Sequence, residues 1–199
     1  AVVSTQSTWG SQLRVKMGRF KALPLLLLLC SALMNEGAKG EVARGVDLKR
    51  YMGRWYEIAS FPALYEPKNG EDTRATYTLN PNGTVDVVNE VWVKGERRSI
   101  EGIAYKADNT SDEAKLKVRF KVPTFFPVIP VLGDYWVLYV DPGYHHALIG
   151  GPTKLFLWIL CRETRLDGAT YDKLVQMAKD EWYPVKLLHK TPQRNPPPL

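Results

Sequence analysis

The chain has 199 residues, of which 45% are hydrophobic and 24% are charged, and its formal net charge is +6. These values suit one globular domain with extensions. The lysines and arginines are scattered and form no basic helix and no basic–aromatic cluster, which argues against nucleic acid as a partner and favours anionic surfaces such as lipid headgroups.

The first predicted element is a short apolar segment near the N-terminus. Met17 is followed by two basic residues and then by a mostly apolar run over 24–33. This order is typical of a secretory signal peptide, and the run is too short to cross a bilayer as a helix. The alternative is that Met34 is the functional start and that the residues before it are incidental. We predict that residues 1–43 are an N-terminal extension outside the folded domain.

The folded domain begins with a tryptophan two residues after a glycine. Residues 46–52 are long enough for one or two turns of helix, and Gly53 and Trp55 then open an alternating strand. Alternate side chains of a strand share a face, so Glu57 is predicted to lie on the same face as Trp55. Far downstream, Arg162 ends an apolar strand. Because a guanidinium can stack on an indole, we predict that Arg162 and Trp55 close the floor of a barrel.

Seven further short strands follow at hairpin spacing. They are predicted at 72–79, 84–92, 99–106, 115–122, 133–140, 144–149 and 156–162. Asn-Pro-Asn-Gly, Lys-Gly and Asp-Pro-Gly sequences between them are strong turn signals. The strand at 115–122 is the clearest, because its apolar residues alternate with lysine and arginine, which is typical of a strand with one buried and one solvated face.

A helix and a proline-rich tail complete the chain. Asp167 can cap a helix whose apolar positions recur at helical spacing, namely Tyr171, Leu174, Val175, Ala178 and Trp182. Eight strands and one helix in this order predict an all-β fold, an eight-stranded up-and-down antiparallel β-barrel with one C-terminal α-helix packed outside. A barrel of this size leaves room inside for one small ligand. The barrel domain is predicted to span 44–190 and the Pro-rich tail 191–199.

Three motifs in this order resemble the lipocalin family. They are Gly-Arg-Trp at 53–55, Gly-Asp-Tyr at 133–135 and Arg162 at the end of the last strand. The sequences at 54–59, 147–150 and 157–160 are also similar to the bacterial outer-membrane and apolipoprotein D-like branch, and within it to the plant temperature-induced lipocalins. The resemblance covers about residues 41–190.

The resemblance implies a closed calyx that binds a small hydrophobic molecule such as a lipid, sterol, fatty acid or isoprenoid. It also implies a role in lipid protection or transport at membranes, in response to temperature or oxidative stress. Gly53, Trp55 and Arg162 correspond to the structural floor of the family's barrel. The plant relatives usually lack a cleavable signal, so the resemblance implies a cytoplasmic protein, peripheral at the plasma membrane. Secretion is the alternative if the segment from Met17 acts as a signal peptide.

The alternation within the strands nominates the side chains that face the inside of the barrel. Parity with Trp55, together with the pattern of small and aromatic residues, selects as ligand-binding residues Glu57, Ala75, Tyr77, Val87, Asn89, Phe120, Tyr135, Tyr139 and Trp158. The alternative is that these side chains fill the barrel and leave no cavity. Glu57 and Asn89 are polar on an apolar face, and a buried polar group needs a partner. That partner is either a hydroxyl or carbonyl group of a ligand or a trapped water.

The connection between the fifth and sixth strands is unusually apolar. Residues 122–132 contain three prolines, which exclude regular helix or sheet pairing, and Phe125, Phe126 and Ile129 would be exposed unless they bind something. In an up-and-down barrel this loop shares the open mouth with the Lys94 turn, which basic residues flank. We therefore predict that a monomeric chain docks on an anionic membrane surface through this loop. A lid over the cavity and a weak dimer interface are the alternatives.

No constellation of residues in the sequence indicates catalysis. His145 and His146 are adjacent, so in a strand they point to opposite faces and cannot bind one metal together. Cys161 has the opposite parity to Arg162 and is predicted to face outward, and no Ser–His–Asp or Cys–His spacing stands out. We predict a protein that is not an enzyme and that uses no metal or cofactor. The alternative is a lipocalin-fold enzyme that acts on a lipid or isoprenoid.

Overall fold

Strand pairing closes a barrel in the part of the chain that the structure describes. This computed structural model describes residues 42–62, 67, 69–120, 132–194 and 197, which all lie in the unit that spans 40–199. The signal-like segment from Met17 and the predicted docking residues Phe125, Phe126 and Ile129 lie outside the described residues.

A short helix and eight strands form the barrel and its floor. Their bounds are α1 Leu48–Tyr51, β1 Gly53–Ser60, β2 Glu71–Leu79, β3 Val85–Val93, β4 Glu96–Lys106, β5 Lys115–Phe120, β6 Leu132–Val140, β7 His146–Gly150 and β8 Trp158–Cys161. Each strand pairs antiparallel with the next along the chain, and β1 pairs with both β2 and β8. These pairings confirm the predicted eight-stranded up-and-down antiparallel barrel.

One long helix, α2 (Gly168–Asp180), packs outside the barrel. Its N-terminus is capped by the Asp167 side chain, which accepts a hydrogen bond from the Thr170 backbone N–H at 2.9 Å. Leu174 and Ala178 are fully buried, as the helical spacing predicts. Packing of this apolar stripe holds the helix on the sheet.

The end of α2 differs from the sequence prediction. Trp182, predicted as an apolar position of the helix, lies beyond its last residue, with a φ of 61° and 79% of its surface exposed. The buried place belongs to Tyr183, whose hydroxyl accepts from the Gly151 N–H at 3.1 Å and donates to the Gly151 carbonyl at 3.0 Å. The helix ends two residues before Trp182 because the Tyr183 hydroxyl bonds the backbone of Gly151 and Trp182 turns outward.

The C-terminal segment forms part of the barrel wall. A 3₁₀ helix (Val185–Leu187) leads into β9 (His189–Lys190), which pairs with β1 at Ala59 and Ser60. The next residues continue between β1 and β2: the Thr191 N–H donates to the Ile58 carbonyl at 3.0 Å, and the Pro192 carbonyl accepts from the Asp72 N–H at 2.8 Å. β1 and β2 pair directly only over the half of β1 that is nearer Gly53. Residues 189–194 therefore fill the seam where β1 and β2 separate.

Two irregularities change which face a side chain occupies. The pairing of β1 with β8 shifts between Glu57 and Ala59, and the pairing of β6 with β7 shifts between Val137 and Tyr139. The extra residue of a β-bulge reverses the alternation beyond it. Strict alternation therefore assigns the wrong face to side chains that follow each bulge.

Candidate functional site

The floor of the barrel is a stacked arginine and tryptophan. The guanidinium carbon of Arg162 lies 3.8 Å from the centre of the Trp55 ring, and Trp55 is fully buried. The guanidinium also donates to four backbone carbonyls, those of Arg54 at 2.7 Å, Arg50 at 3.0 Å, Tyr51 at 3.1 Å and Tyr144 at 3.2 Å. The arginine therefore ties α1, β1 and the turn before β7 together beneath the indole.

Gly53 belongs to the same floor for a geometric reason. Its φ is 93°, a value that side chains with a Cβ rarely adopt. A Cβ at this position would also lie 3.3 Å from Nη1 of Arg162. Glycine lets β1 start close against the guanidinium.

A mostly apolar cavity of about 50 Å³ lies inside the barrel. It lies above the floor, since Trp55 packs against Tyr51 with ring centroids 4.9 Å apart. Its described lining carries no charged side chain and consists of Leu48, Tyr51, Met52, Tyr77, Val85, Val87, Asn89, Ala104, Leu116, Val118, Phe120, Tyr135 and Val137. Five of the nominated ligand-binding residues are among them, namely Tyr77, Val87, Asn89, Phe120 and Tyr135. The barrel is thus not completely filled at this level.

Three tyrosine hydroxyls meet at one side of the cavity. The Tyr135 hydroxyl lies 2.8 Å from that of Tyr51 and 3.1 Å from that of Tyr77. Burial raises the pKa of Tyr51 and of Tyr135 well above the ordinary value, and it raises the pKa of Tyr77 to about 12. The hydroxyls therefore stay neutral at physiological pH and act as a polar cluster in an apolar wall.

Asn89 is the other polar group of the lining. It lies on β3 two residues nearer the mouth than Val87, which is the register partner of Tyr77. Its Oδ1 atom is buried and has no hydrogen-bond partner among the described residues. A buried polar atom without a partner is uncommon and points to a water or ligand that donates a hydrogen bond to it.

Glu57 lies outside the cavity lining, although it is buried. Its carboxylate accepts a hydrogen bond from the Ser60 hydroxyl at 3.0 Å and another from the Thr191 hydroxyl. Burial raises the pKa of Glu57, and these hydrogen bonds and nearby His189 partly oppose the shift. The polar partners that a buried Glu57 needs are thus side chains of the protein itself.

Three other nominated residues also lie away from the cavity. Ala75 is buried opposite Trp55 in the β1–β2 pairing. Trp158 is half-buried at the mouth end of β8, with its ring stacked on Phe156 at 5.8 Å between centroids. Tyr139 lies on the outer face, with the ammonium group of Lys173 of α2 5.2 Å from its ring centre. The bulge before Tyr139 is the physical reason, because it reverses the parity that placed this ring inside.

Sequence parity missed the contribution of α1. Leu48, Tyr51 and Met52 line the cavity from below. Parity rules apply within strands, and a four-residue helix carries no periodic signal. The only available signal was the apolar content of 46–52 immediately before the floor glycine.

The candidate catalytic groups do not converge on the cavity. The Cys161 thiol is buried, contacts the Arg165 carbonyl at 3.7 Å and has a pKa raised mainly by burial. His145 and His146 both lie near the Asp141 carboxylate, at 3.2 and 3.6 Å. No group of three or more potential metal ligands occurs among the described residues.

The mouth end carries exposed apolar side chains beside α2. Leu155, in the loop between β7 and β8, is 67% exposed, and Trp182 and Leu187 are 79% and 52% exposed. Lys154 links this loop to the end of α2, with its ammonium group 3.8 Å from the Glu181 carboxylate and 4.4 Å from the Tyr183 ring centre. Within the described ranges, none of the helices combines the length and apolar content needed to span a membrane.

Most of the chain matches known proteins. A family model described as a Lipocalin-like domain matches residues 46–193. Temperature-induced lipocalin-1 of Arabidopsis thaliana is 61% identical over 165 residues, which cover 83% of this chain and 89% of that protein. Outer membrane lipoprotein Blc of Escherichia coli (strain K12) is 34% identical over 146 residues, covering 72% and 77%. Apolipoprotein D of Mus musculus is 34% identical over 164 residues, covering 78% and 82%.

Solved structures show the same fold at lower identity. Insecticyanin from the tobacco hornworm Manduca sexta superimposes with a TM-score of 0.63 at 22% identity, covering 79% of this chain and 86% of that one. Lobster apocrustacyanin A1 gives a TM-score of 0.58 at 17% identity, covering 75% and 81%.

Proposed function

The chain belongs to the lipocalin family, which binds small hydrophobic ligands, and on that premise we propose that it carries such a molecule in its barrel and acts at membrane surfaces. The proposed role is lipid protection or transport in response to temperature or oxidative stress. The observation that carries the proposal is the apolar cavity above the Trp55–Arg162 floor. The described lining excludes charge and offers polar groups at only a few points, which is the usual chemistry of a lipid-binding pocket.

The size of the cavity indicates how a ligand would occupy it. About 50 Å³ is more than the ~10–15 Å³ that a water needs, yet far less than a whole lipid. A dissociation constant of about 1 μM corresponds to ~8 kcal/mol, and a buried methylene contributes ~0.8 kcal/mol. The ligand must therefore bury about ten methylenes, and more once the free-energy cost of association is counted. The proposed ligand would place one end in this cavity and extend toward the mouth.

A cavity-filling substitution tests the binding site. Ala104 is buried in the lining, so Ala104→Phe places a ring in the space proposed for the ligand. Ile103→Phe is the matched control, since Ile103 is the preceding residue of β4 and is 39% exposed. We expect Ala104→Phe to weaken binding of a fluorescent fatty acid at least tenfold and Ile103→Phe to leave it unchanged. Equal affinity in both variants, with circular dichroism confirming folded protein, would place the ligand elsewhere.

Exposed apolar side chains and basic residues at the mouth support the membrane proposal. Leu155, Trp182 and Leu187 are exposed at this end, and so are Lys94 and Lys186. Each apolar side chain contributes roughly 1.5–3 kcal/mol when buried in a bilayer, and each basic residue near an anionic surface contributes about 1 kcal/mol. Several such groups together suffice for reversible peripheral binding. Phe125, Phe126 and Ile129 are proposed to dock at the same end.

Vesicle sedimentation tests each of the two proposed docking elements with its own variant. One variant replaces Phe125, Phe126 and Ile129 with serine. A second replaces Leu155, Trp182 and Leu187 with serine, and the control is Ile103→Ser on the barrel wall. We expect each triple variant to lose binding to vesicles with 30% anionic lipid, and salt to weaken the wild type only partly, because apolar burial is not screened. Wild-type pelleting of both triple variants would contradict docking through the mouth.

A binding role is proposed in preference to a catalytic one. A cysteine nucleophile must be a thiolate, whereas burial raises the pKa of Cys161 and its sulfur contacts a backbone carbonyl rather than the cavity. The side chains that line the described cavity are apolar apart from the tyrosines and Asn89. They are suited to holding a molecule and lack a general base.

A further inference from the structure

The inner cavity holds an incomplete set of hydrogen bonds. The hydroxyls of Tyr51, Tyr77 and Tyr135 carry three protons, and the cluster contains two hydrogen bonds, both to Tyr135. Each bond uses one proton, whichever oxygen donates. Among the described residues, one hydroxyl proton is therefore left without an acceptor, in a cluster whose three side chains all line the cavity.

The same cavity contains an unused acceptor. Asn89 Oδ1 is buried without a partner in the described part of the chain. Tyr77 and Asn89 are diagonal neighbours across β2 and β3, because Tyr77 pairs with Val87, and diagonal neighbours lie about 7–8 Å apart. One spare donor and one spare acceptor thus lie among the side chains that line the same small apolar cavity, on residues of neighbouring elements.

Building on the proposed binding function, we propose that the cavity receives the polar end of the ligand and that this end is a neutral hydroxyl. A hydroxyl accepts a hydrogen bond from the spare tyrosine O–H and donates one to Asn89 Oδ1, so that the donor and the acceptor both gain a partner. The ligand class is therefore a long-chain or polycyclic alcohol, bound with its hydroxyl inward and its hydrocarbon part toward the mouth.

A carboxylate fits the same place less well. It can accept from the tyrosines, but it has no proton for Asn89, and its negative charge would face the amide oxygen. The described lining has no cation to compensate it. The nearest candidate, Arg162, stacks on Trp55 and donates to four backbone carbonyls. Burial of a charge without a partner is costly, whereas a hydrogen-bonded neutral group is tolerated.

Three probes with the same chain separate these possibilities. 1-Decanol donates and accepts, decyl methyl ether only accepts, and decanoate accepts as an anion. For the wild type at pH 7.4, titrated calorimetrically below the solubility limit of each probe, we expect decanol to bind about tenfold more tightly than the ether. That factor is the one expected for a single net hydrogen bond to a buried acceptor. Decanoate is expected to bind more weakly than decanol.

Two variants test the donor and the acceptor separately. Asn89→Leu removes the acceptor, so decanol and the ether should bind equally, and the unliganded variant should be at least as stable as the wild type. The triple change Tyr51→Phe, Tyr77→Phe and Tyr135→Phe removes the whole cluster and leaves no orphaned hydroxyl. This variant should weaken the binding of both decanol and the ether. Tyr105→Phe on β4, outside the cavity lining, is the control and should change neither.

The wild-type series alone can overturn the inference, even if a variant fails to fold. Tighter binding of decanoate than of decanol would show an anion site, and equal binding of decanol and the ether would show that the polar end does not reach Asn89. Persistence of the decanol preference in Asn89→Leu would also reject it. If none of the three probes binds at all, the proposed binding function fails, a different result from binding without preference for the hydroxyl.

Discussion

Replacing Arg162 with alanine removes the closure of the barrel floor. The cation–aromatic contact with Trp55 at 3.8 Å contributes about 1 kcal/mol. Of the four carbonyls that lose a donor, that of Tyr51 keeps the Trp55 indole N–H at 2.8 Å, and those of Arg50 and Arg54 are accessible to water. The partly buried Tyr144 carbonyl loses a partner, at a cost of about 1–3 kcal/mol. We expect Arg162→Ala to lower the free energy of unfolding by about 2–4 kcal/mol.

Urea unfolding followed by far-ultraviolet circular dichroism measures this change. The midpoint should fall without a change in slope, because the substitution alters stability rather than the surface exposed on unfolding. The melting temperature should fall by about 10 °C for a domain of this size. Arg162→Lys should recover little, since an ammonium group cannot reproduce the planar fork that reaches several carbonyls.

Arg54→Ala is the matched control, because Arg54 is an exposed arginine beside the same floor. Surface substitutions of this kind usually stay within about 0.5 kcal/mol. If Arg162→Ala were no more destabilising than Arg54→Ala, the floor pair would make no net contribution and the reasoning from its geometry would be refuted.

Three further predictions concern the backbone, pH and fluorescence. Gly53→Ala should cost about 1–3 kcal/mol in thermal melts, more than Gly83→Ala, because both have positive φ but a Cβ at Gly83 meets open space. Burial raises the pKa of Glu57, so its contribution is full below its ordinary pKa and is lost as pH rises through the raised pKa. Glu57→Gln should flatten that decline in a pH series of urea midpoints, and an unchanged slope would contradict it. The proposed ligand extends toward the mouth, where Trp158 lies half-buried, so Trp158→Phe should reduce ligand quenching of emission. Trp136, whose ring lies beside Lys115, is the control, and loss of quenching in Trp136→Phe instead would contradict this path for the ligand.

The barrel follows from the sequence because its signals are local and repeated. Alternation along 115–122, glycine-containing turns and an Asp167 cap each describe a few neighbouring residues, and the structure confirms the strands and helix that they predict. Side-chain direction is harder to predict. Leu138 and Ile58, which lie at the two bulges, are ordinary strand residues, and no sequence feature marks them as the extra residue. Tyr139 consequently lies outside, although alternation places it inside.

Glu57 and Asn89 show why the binding surface needs the folded structure. Alternation nominates both as polar residues on an apolar inner face, and nothing local distinguishes them. Besides the nearby Ser60, the partner of Glu57 is Thr191, 134 residues away. Thr191 lies in a proline-containing segment that has no strand periodicity and nevertheless fills the seam between β1 and β2. Asn89 Oδ1, by contrast, has no partner among the described residues and lines the cavity. The same sequence pattern thus yields a wall contact in one case and a candidate ligand contact in the other, and only long-range chain pairing separates them.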